Sequence, residues 1–207
     1  MMRKIEMQVE EYKKKISCLG DDDEKDMFTQ EYFFHGIPVY LKEAEYFRFR
    51  KRIAVYFGVN FYDVMIVGSC KFGFSPYKFK CFSLNSDVDV VIISEILFEK
   101  YYKLLCSYEY QRKQNIFRLD TEQDKDYRRF LRYFITGWMR PDLLPQNTTD
   151  FKEIKEGWDD FFRGISYGKS EVGNYRVKCG LFKSYYYAEK YYRSSLDKAI
   201  VNIRPLA

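Results

Sequence analysis

Two stretches, Asp63-Val64-Met65-Ile66-Val67-Gly68-Ser69 and Ser86-Asp87-Val88-Asp89-Val90-Val91-Ile92-Ile93, decide the fold of this protein. Each contains a short run of apolar and β-branched residues, which predicts a buried strand. The first strand, over residues 63–67, stops at Gly68 and Ser69, and this pair predicts a tight turn. The second strand, over residues 87–93, begins with two carboxylates and continues as an unbroken apolar run.

The two carboxylates are a candidate metal site. Side chains alternate along a strand, so Asp87 and Asp89 are expected to point to the same face. Two like charges beside apolar residues are unfavourable unless a cation, a proton, or a Lys or Arg partner relieves their repulsion. Hard oxygen ligands favour Mg²⁺ or Mn²⁺. The alternative is a strand end that reaches the surface, where both acids face water.

The glycine-serine turn is a candidate phosphate site. A phosphate needs a backbone without an obstructing Cβ and nearby N–H or hydroxyl donors, and Gly68 and Ser69 offer both. A nucleoside triphosphate resting on this turn, with Mg²⁺ bridging it to the carboxylates, would use both features. Lys71, Lys78 and Lys80 lie between the two stretches. Each could neutralise phosphate charge, or each could be a solvated surface lysine.

These residues resemble the signature of the DNA polymerase β-type nucleotidyltransferase superfamily. The matching features are an apolar strand, Gly68-Ser69, and then Ser86-Asp87-Val88-Asp89-Val90. The resemblance covers residues 63–93, and the flanking helices fit it only loosely. It implies an α+β fold in which helices flank a mixed β-sheet.

The resemblance also implies an activity and a set of site residues. The activity is Mg²⁺- or Mn²⁺-dependent transfer of a nucleotidyl group from a nucleoside triphosphate to a hydroxyl, with release of pyrophosphate. Asp87 and Asp89 would be the catalytic metal ligands. The residues expected at the nucleotide are Gly68, Ser69, Lys71 and Ser86.

The acceptor of the nucleotidyl group stays open between a nucleotide, a nucleic-acid end, a protein and a small molecule. The superfamily includes poly(A) and CCA-adding polymerases, second-messenger synthases of antiphage defence, aminoglycoside-modifying enzymes and antitoxins that nucleotidylate a toxin. One alternative is a catalytically degenerate member that binds nucleotide or a partner protein. Another is an unrelated binding module that carries the motif by coincidence.

A third carboxylate is missing from the place where the superfamily usually has one. It normally lies on a later strand and helps to activate the attacking hydroxyl. The best later strand, predicted over residues 175–182, contains no acid. Asp120 is a substitute candidate, and Glu171 is a weaker one.

Composition favours a folded domain with a short extension. The chain has 207 residues, of which 46% are hydrophobic and 31% are charged, so global disorder and dependence on disulfides are not expected. The net charge of +5 suits phosphate-bearing ligands. The five cysteines form no CxxC pair, which favours a reducing cytoplasm over a disulfide framework or a thiolate zinc site. No apolar run predicts an export signal or a membrane span.

Residues 1–27 are expected to be a separate amphipathic helix and acidic loop, followed by a nucleotidyltransferase-like domain over residues 28–207. Apolar residues recur at helical spacing, which predicts a seam. The seam residues are Met2, Ile5, Val9, Tyr12, Ile16 and Leu19. The seam could dock on the chain's own core, or it could pair with a partner protein or a second copy. The acidic run over residues 21–26 could be a solvated loop, a helix start or a cation site.

The remaining pattern predicts helices over residues 41–57, 94–110, 124–139, 151–162 and 183–200. The first of these carries a basic face that could meet a phosphate backbone or simply face water. That face contains Arg48, Arg50, Lys51 and Arg52. His35 is the only histidine, so a structural or surface role is expected.

Overall fold

The computed structural model describes residues 2–203, and their side chains from Gln8 onward. These residues form eight α-helices and a four-stranded mixed sheet, which confirms the α+β class. The helices are α1 (Met2–Ser17), α2 (Asp22–Thr29), α3 (Glu43–Phe57), α4 (Gly68–Phe72), α5 (Glu95–Lys113), α6 (Thr121–Phe134), α7 (Thr149–Gly164) and α8 (Tyr185–Ile203). The strands are β1 (Val64–Val67), β2 (Asp87–Ile93), β3 (Trp138–Met139) and β4 (Arg176–Phe182).

The sheet has the strand order β1-β2-β4-β3. β1 runs antiparallel to β2, and β3 runs antiparallel to β4. The central pair, β2 and β4, is parallel, so the chain must cross from one end of the sheet to the other between them. Helices α5, α6 and α7 lie in this connection. The two strands that the sequence predicts most clearly, β1 and β2, therefore lie side by side, and β4 pairs with the other edge of β2.

The two faces of the sheet pack against different helices. One face contributes Val88, Val90 and Leu181 to the main core, which also takes buried residues from α3, α5, α6 and α7. On the other face, Val91 and Phe182 pack under the buried residues of α8. Helix α8 covers only the apolar end of that face. The opposite end, where β2 and β4 begin, carries charged side chains and is open to solvent.

The predicted helix over residues 124–139 is wrong at its C-terminal end. Helix α6 ends at Phe134, and Gly137 then adopts a positive φ of 75°. Trp138 and Met139 form the short edge strand β3 against Phe182 and Leu181. The apolar residues continue the helical period in the sequence, but the left-handed glycine turns the chain, and pairing with β4 decides the strand.

The N-terminal seam docks on the chain's own C-terminal helix. Val9, Tyr12 and Ile16 are buried in one apolar cluster with Leu196 and Ile200 of α8. The side chains of Met2 and Ile5 lie outside the described residues. The acidic run is a helix start rather than a loop: the side chain of Asp21 caps α2 by accepting the backbone N–H of Glu24.

A buried arginine links this acidic helix start to α8. Arg193 is 9% exposed, and its guanidinium contacts three carboxylates. It lies 2.6 Å from Asp22 Oδ1, 2.5 Å from Asp26 Oδ1 and 3.2 Å from Asp197 Oδ1. The like charges of the acidic run are therefore partly neutralised by a cation from the other end of the chain.

Replacing this arginine should destabilise the fold in a pH-dependent way. We expect Arg193→Met to lower the free energy of unfolding by about 2 kcal/mol at pH 7, because charged hydrogen bonds are lost. The Arg193 guanidinium holds the pKa of Asp22 below its ordinary value of 3.8. A carboxyl with a lowered folded pKa stabilises above its unfolded pKa, and this stabilisation is lost as pH falls through the folded pKa. Urea unfolding of both proteins should therefore show a difference that shrinks below pH 3.8.

An exposed arginine supplies the matched control for that measurement. Arg163 pairs with Asp160 on the surface of α7, and both side chains are well exposed. Arg163→Met should change the free energy of unfolding by less than about 0.5 kcal/mol. An equal effect of the two substitutions would contradict the role given to Arg193.

The cysteines and helices give two further structural observations. All five cysteines are free thiols, and Cys70 is buried. Between Met2 and Ile203, no helix combines the length and the apolar character that crossing a bilayer requires.

Candidate active site

The glycine-serine turn and one of the two carboxylates lie in contact across the β1–β2 pair. Val67, the last residue of β1, is the register partner of Asp89. The chain therefore turns directly in front of that carboxylate. Gly68 has a φ of 66°, and a Cβ built on it would lie 2.9 Å from Asp89 Oδ2. Any side chain at this position would strain the left-handed backbone and displace the carboxylate, so glycine is favoured there.

The turn opens a short helix instead of a bare loop. Helix α4 begins at Gly68, with the half-buried Ser69 as its second residue. Gly73 caps its C-terminus, and the Gly73 N–H donates to the carbonyl of Ser69 at 2.9 Å. The first backbone N–H groups of a helix have no partner within the helix. The turn therefore presents main-chain donors beside Asp89.

The two carboxylates share one face of β2, as the alternation predicts, and they lie next to two basic residues of β4. In the parallel register, Asp87 pairs with Arg176 and Asp89 pairs with Lys178. Lys178 Nζ lies 2.5 Å from Asp87 Oδ2. The strand on which the resemblance places a third carboxylate thus carries a lysine, and its ammonium is bound to the first acid.

Asp89 is in an environment that disfavours its charge. The residue is exposed to solvent at the cleft, although one side of its carboxylate faces the Gly68 turn. Burial on that side, followed by repulsion from Asp87, raises the pKa of Asp89 to about 6, while Lys178 acts in the opposite direction. A cation bound beside Asp89 would stabilise the ionised form.

A cleft of about 970 Å³ opens over this end of the sheet, which is the size of a small-molecule site. Gly68 and Asp89 line it, whereas the predicted site residues Ser69 and Asp87 do not. Both tryptophans of the chain, Trp138 and Trp158, line it as well. The basic residues that line it are Lys78, Arg140, Arg163, Arg176 and Lys178. These basic residues outnumber the acidic residues that line the cleft, so the cleft suits an anionic ligand.

Two of these basic residues are available to a ligand. Arg140 already pairs with Asp142 at 2.6 Å. Within residues 8–203, the side chains of Lys78 and Arg176 have no carboxylate partner. They enter the cleft from different elements, one from the segment after α4 and the other from the start of β4.

Comparison of the chain with protein-family models, curated proteins and solved structures yields no match. The function must therefore be inferred from the residues of the cleft.

Lys71 is not part of the cleft, contrary to the sequence prediction. Its side chain is buried, and Nζ donates to the carbonyl oxygens of Phe33 at 2.9 Å and of His35 at 2.7 Å. Burial lowers the pKa of Lys71 to about 8. Lys71 thus holds the segment that follows α2, and the structure gives it no contact with a nucleotide site.

Ser86 is also used within the fold. Its hydroxyl accepts the N–H of Ser83 at 3.0 Å, and its own N–H donates to the carbonyl of Ser83 at 2.8 Å. Ser86 therefore closes the turn that leads into β2, and it does not line the cleft. Lys80 is exposed and lies outside the cleft as well.

Neither substitute for the third carboxylate reaches the cleft. Asp120 caps α6 by accepting two backbone N–H groups. Glu171 pairs with Arg52 at 3.1 Å and with Arg48 at 3.7 Å. Arg50 of the same basic face donates to two backbone carbonyls. These residues of the predicted basic face are thus engaged within the protein.

Three residues of the site were missed by sequence reasoning, namely Arg176, Lys178 and Trp138. The signal for the first two was their spacing of two on a predicted strand, which places them on one face. The pairing partner of that strand was not known from the sequence. Trp138 was assigned to a helix, so nothing in the pattern pointed to the cleft.

Proposed function

We propose that this protein is a divalent-metal-dependent nucleotidyltransferase, which transfers a nucleotidyl group from a nucleoside triphosphate to a hydroxyl and releases pyrophosphate. The observation that supports it is the contact between Gly68 and Asp89 inside a basic cleft. A turn with free N–H groups suits phosphate oxygens, and adjacent carboxylates suit the cation that accompanies them. Together, the turn and the carboxylates suit one ligand, a polyphosphate with a bound metal ion.

Asp87 and Asp89 would hold the metal ion. Their carboxylates supply hard oxygen donors from one face of one strand, and this donor set fits Mg²⁺ or Mn²⁺. When bound, such an ion stabilises the charge that develops on the reacting phosphate.

The rest of the cleft would bind and orient the triphosphate. The N–H groups at Gly68 and Ser69 would donate to phosphate oxygens, and Lys78 and Arg176 would neutralise phosphate charge. Because these donors sit on different elements, they would hold the phosphate chain at several points. A fixed phosphate chain can be attacked in line by a positioned hydroxyl.

A turnover assay with labelled nucleotides tests this proposal. Purified protein is incubated with ATP, GTP, CTP or UTP and Mn²⁺ or Mg²⁺, and pyrophosphate release is measured. We expect at least one nucleotide to be consumed in a metal-dependent reaction. The absence of both turnover and nucleotide-dependent thermal stabilisation with every nucleotide would contradict the proposal.

The second candidate function is nucleotide binding without turnover. The ion pair between Lys178 and Asp87 favours it, because one of the two metal ligands is already engaged by a protein cation. A binding protein of this kind would be stabilised against thermal unfolding by nucleotide, and pyrophosphate would not be released. The same assay therefore separates the two candidates.

A further inference from the structure

Lys178 occupies the position that decides whether the carboxylates can take a metal. Its Nζ is 2.5 Å from Asp87 Oδ2, and it is the register partner of Asp89 on the neighbouring strand. The ammonium therefore provides a positive charge beside both acids without any metal. This explains how two carboxylates can share one strand face next to an apolar core.

The ion pair between Lys178 and Asp87 is nevertheless weak enough to break. The Lys178 side chain is 50% exposed, and that of Asp87 is 32% exposed. Exposed ion pairs are weak, and a lysine ammonium sits on a flexible four-carbon stem. Lys178 also lines the same cleft as Lys78 and Arg176, where a polyphosphate would bring negative charge. The ammonium can exchange its carboxylate partner for a phosphate oxygen by a rotation of its own side chain.

We propose that Lys178 is an internal competitor of the divalent metal for Asp87, and that the triphosphate draws it away. This inference rests on the proposed function, and it adds that metal binding depends on nucleotide binding. Without nucleotide, the metal meets a carboxylate pair that is already partly neutralised, so it binds weakly. With nucleotide, Lys178 moves to the phosphates and Asp87 is released. Metal and nucleotide then strengthen each other's binding.

Mn²⁺ binding to the intact protein tests the competition without measuring activity. Free Mn²⁺ is followed by its electron paramagnetic resonance signal, with and without a non-hydrolysable triphosphate, and the Mn²⁺ that the triphosphate binds without protein is subtracted. Without nucleotide, Lys178→Met should bind Mn²⁺ about tenfold more tightly than the wild type, because a positive charge next to the ion is removed. With nucleotide, that difference should shrink, because Lys178 no longer contacts Asp87 in the wild type.

Two variants control for charge and for folding. Lys178→Arg keeps the ion pair and should bind Mn²⁺ as weakly as the wild type. Lys80→Met removes an equal charge outside the cleft, and should change the Mn²⁺ affinity by less than about twofold. Lys178 is half exposed, so its variants should unfold at nearly the wild-type temperature. Lys178→Gln is a second neutral variant should the methionine perturb the fold.

The outcomes separate this inference from the proposed function. If Lys178→Met binds Mn²⁺ no more tightly than the wild type, and Asp89→Asn abolishes that binding, the competition is wrong and the metal site stands. If no variant binds Mn²⁺ even with nucleotide, the proposed metal-dependent function itself is wrong. If Lys178→Met binds Mn²⁺ tenfold more tightly both with and without nucleotide, Lys178 competes with the metal for Asp87. The proposal that nucleotide draws Lys178 away from Asp87 would then be wrong.

Discussion

Asp89→Asn is expected to abolish nucleotide turnover while making the protein more stable. Turnover should fall by at least about 10³-fold, because the site loses a preorganised charge that faces the reacting phosphate. The folded-state pKa of Asp89 is about 6, above its ordinary value of 3.8, so its ionised form opposes folding at pH 7. Allowing for its contact with solvent, the variant should gain about 1 kcal/mol in urea unfolding at that pH.

The pH dependence of stability gives this prediction a second readout. A group with a raised folded pKa costs stability when it is ionised, and this cost shrinks as pH falls below the folded pKa and is gone below the unfolded pKa, which is 3.8 for Asp89. The wild type should therefore approach the stability of Asp89→Asn between about pH 6 and pH 4. A less stable variant would indicate that Asp89 is structural. Asp126→Asn, on the exposed surface of α6, should leave turnover intact.

Gly68→Ala is expected to eliminate nucleotide binding. A Cβ at this position would lie 2.9 Å from Asp89 Oδ2, so either the turn or the carboxylate must move. The left-handed φ of 66° adds a backbone cost of about 1 kcal/mol, which lowers the unfolding temperature. Trp138 lines the cleft and is half-buried, so quenching of its fluorescence by nucleotide measures binding. That quenching should be lost in the variant at nucleotide concentrations that saturate the wild type.

Gly58→Ala is a control with a matched backbone cost. Gly58 has a φ of 63°, almost the same as that of Gly68, but a Cβ there would have no heavy atom within 4 Å. It ends α3, away from the cleft. Gly58→Ala should therefore lose similar stability and still bind nucleotide with wild-type affinity. Equal loss of binding in both alanine variants would show that the effect is one of stability alone.

Local patterns were sufficient for the strands that carry the candidate site. The apolar run of β2 predicted its bounds, Asp87–Ile93, because a buried strand needs continuous apolar residues. The alternation of side chains predicted that Asp87 and Asp89 share a face, and the structure confirms it. The antiparallel pairing of β1 with β2 then brought Gly68 to the carboxylate. Nucleotidyl transfer itself stays a prediction from the resemblance, and the nucleotide and the acceptor stay open.

Local patterns failed where a distant contact outweighed a local preference. Trp138 and Met139 continue a helical period, but pairing with β4 makes them a strand. Lys71 lies next to the turn in sequence, but the carbonyls of Phe33 and His35 hold its ammonium elsewhere. A buried ammonium needs hydrogen-bond acceptors, and the backbone that supplies them comes from another part of the chain.

The sequence alone determined which residues form the turn and the paired carboxylates, because strand formation, alternation and glycine conformation depend on neighbouring residues. The tertiary structure decided which side chains lie next to those carboxylates. Parallel pairing of β2 with β4 joins segments far apart in the chain, and its register sets Lys178 beside Asp87 and Asp89. Such a register follows from packing of the whole sheet against its helices, so no local pattern contains it.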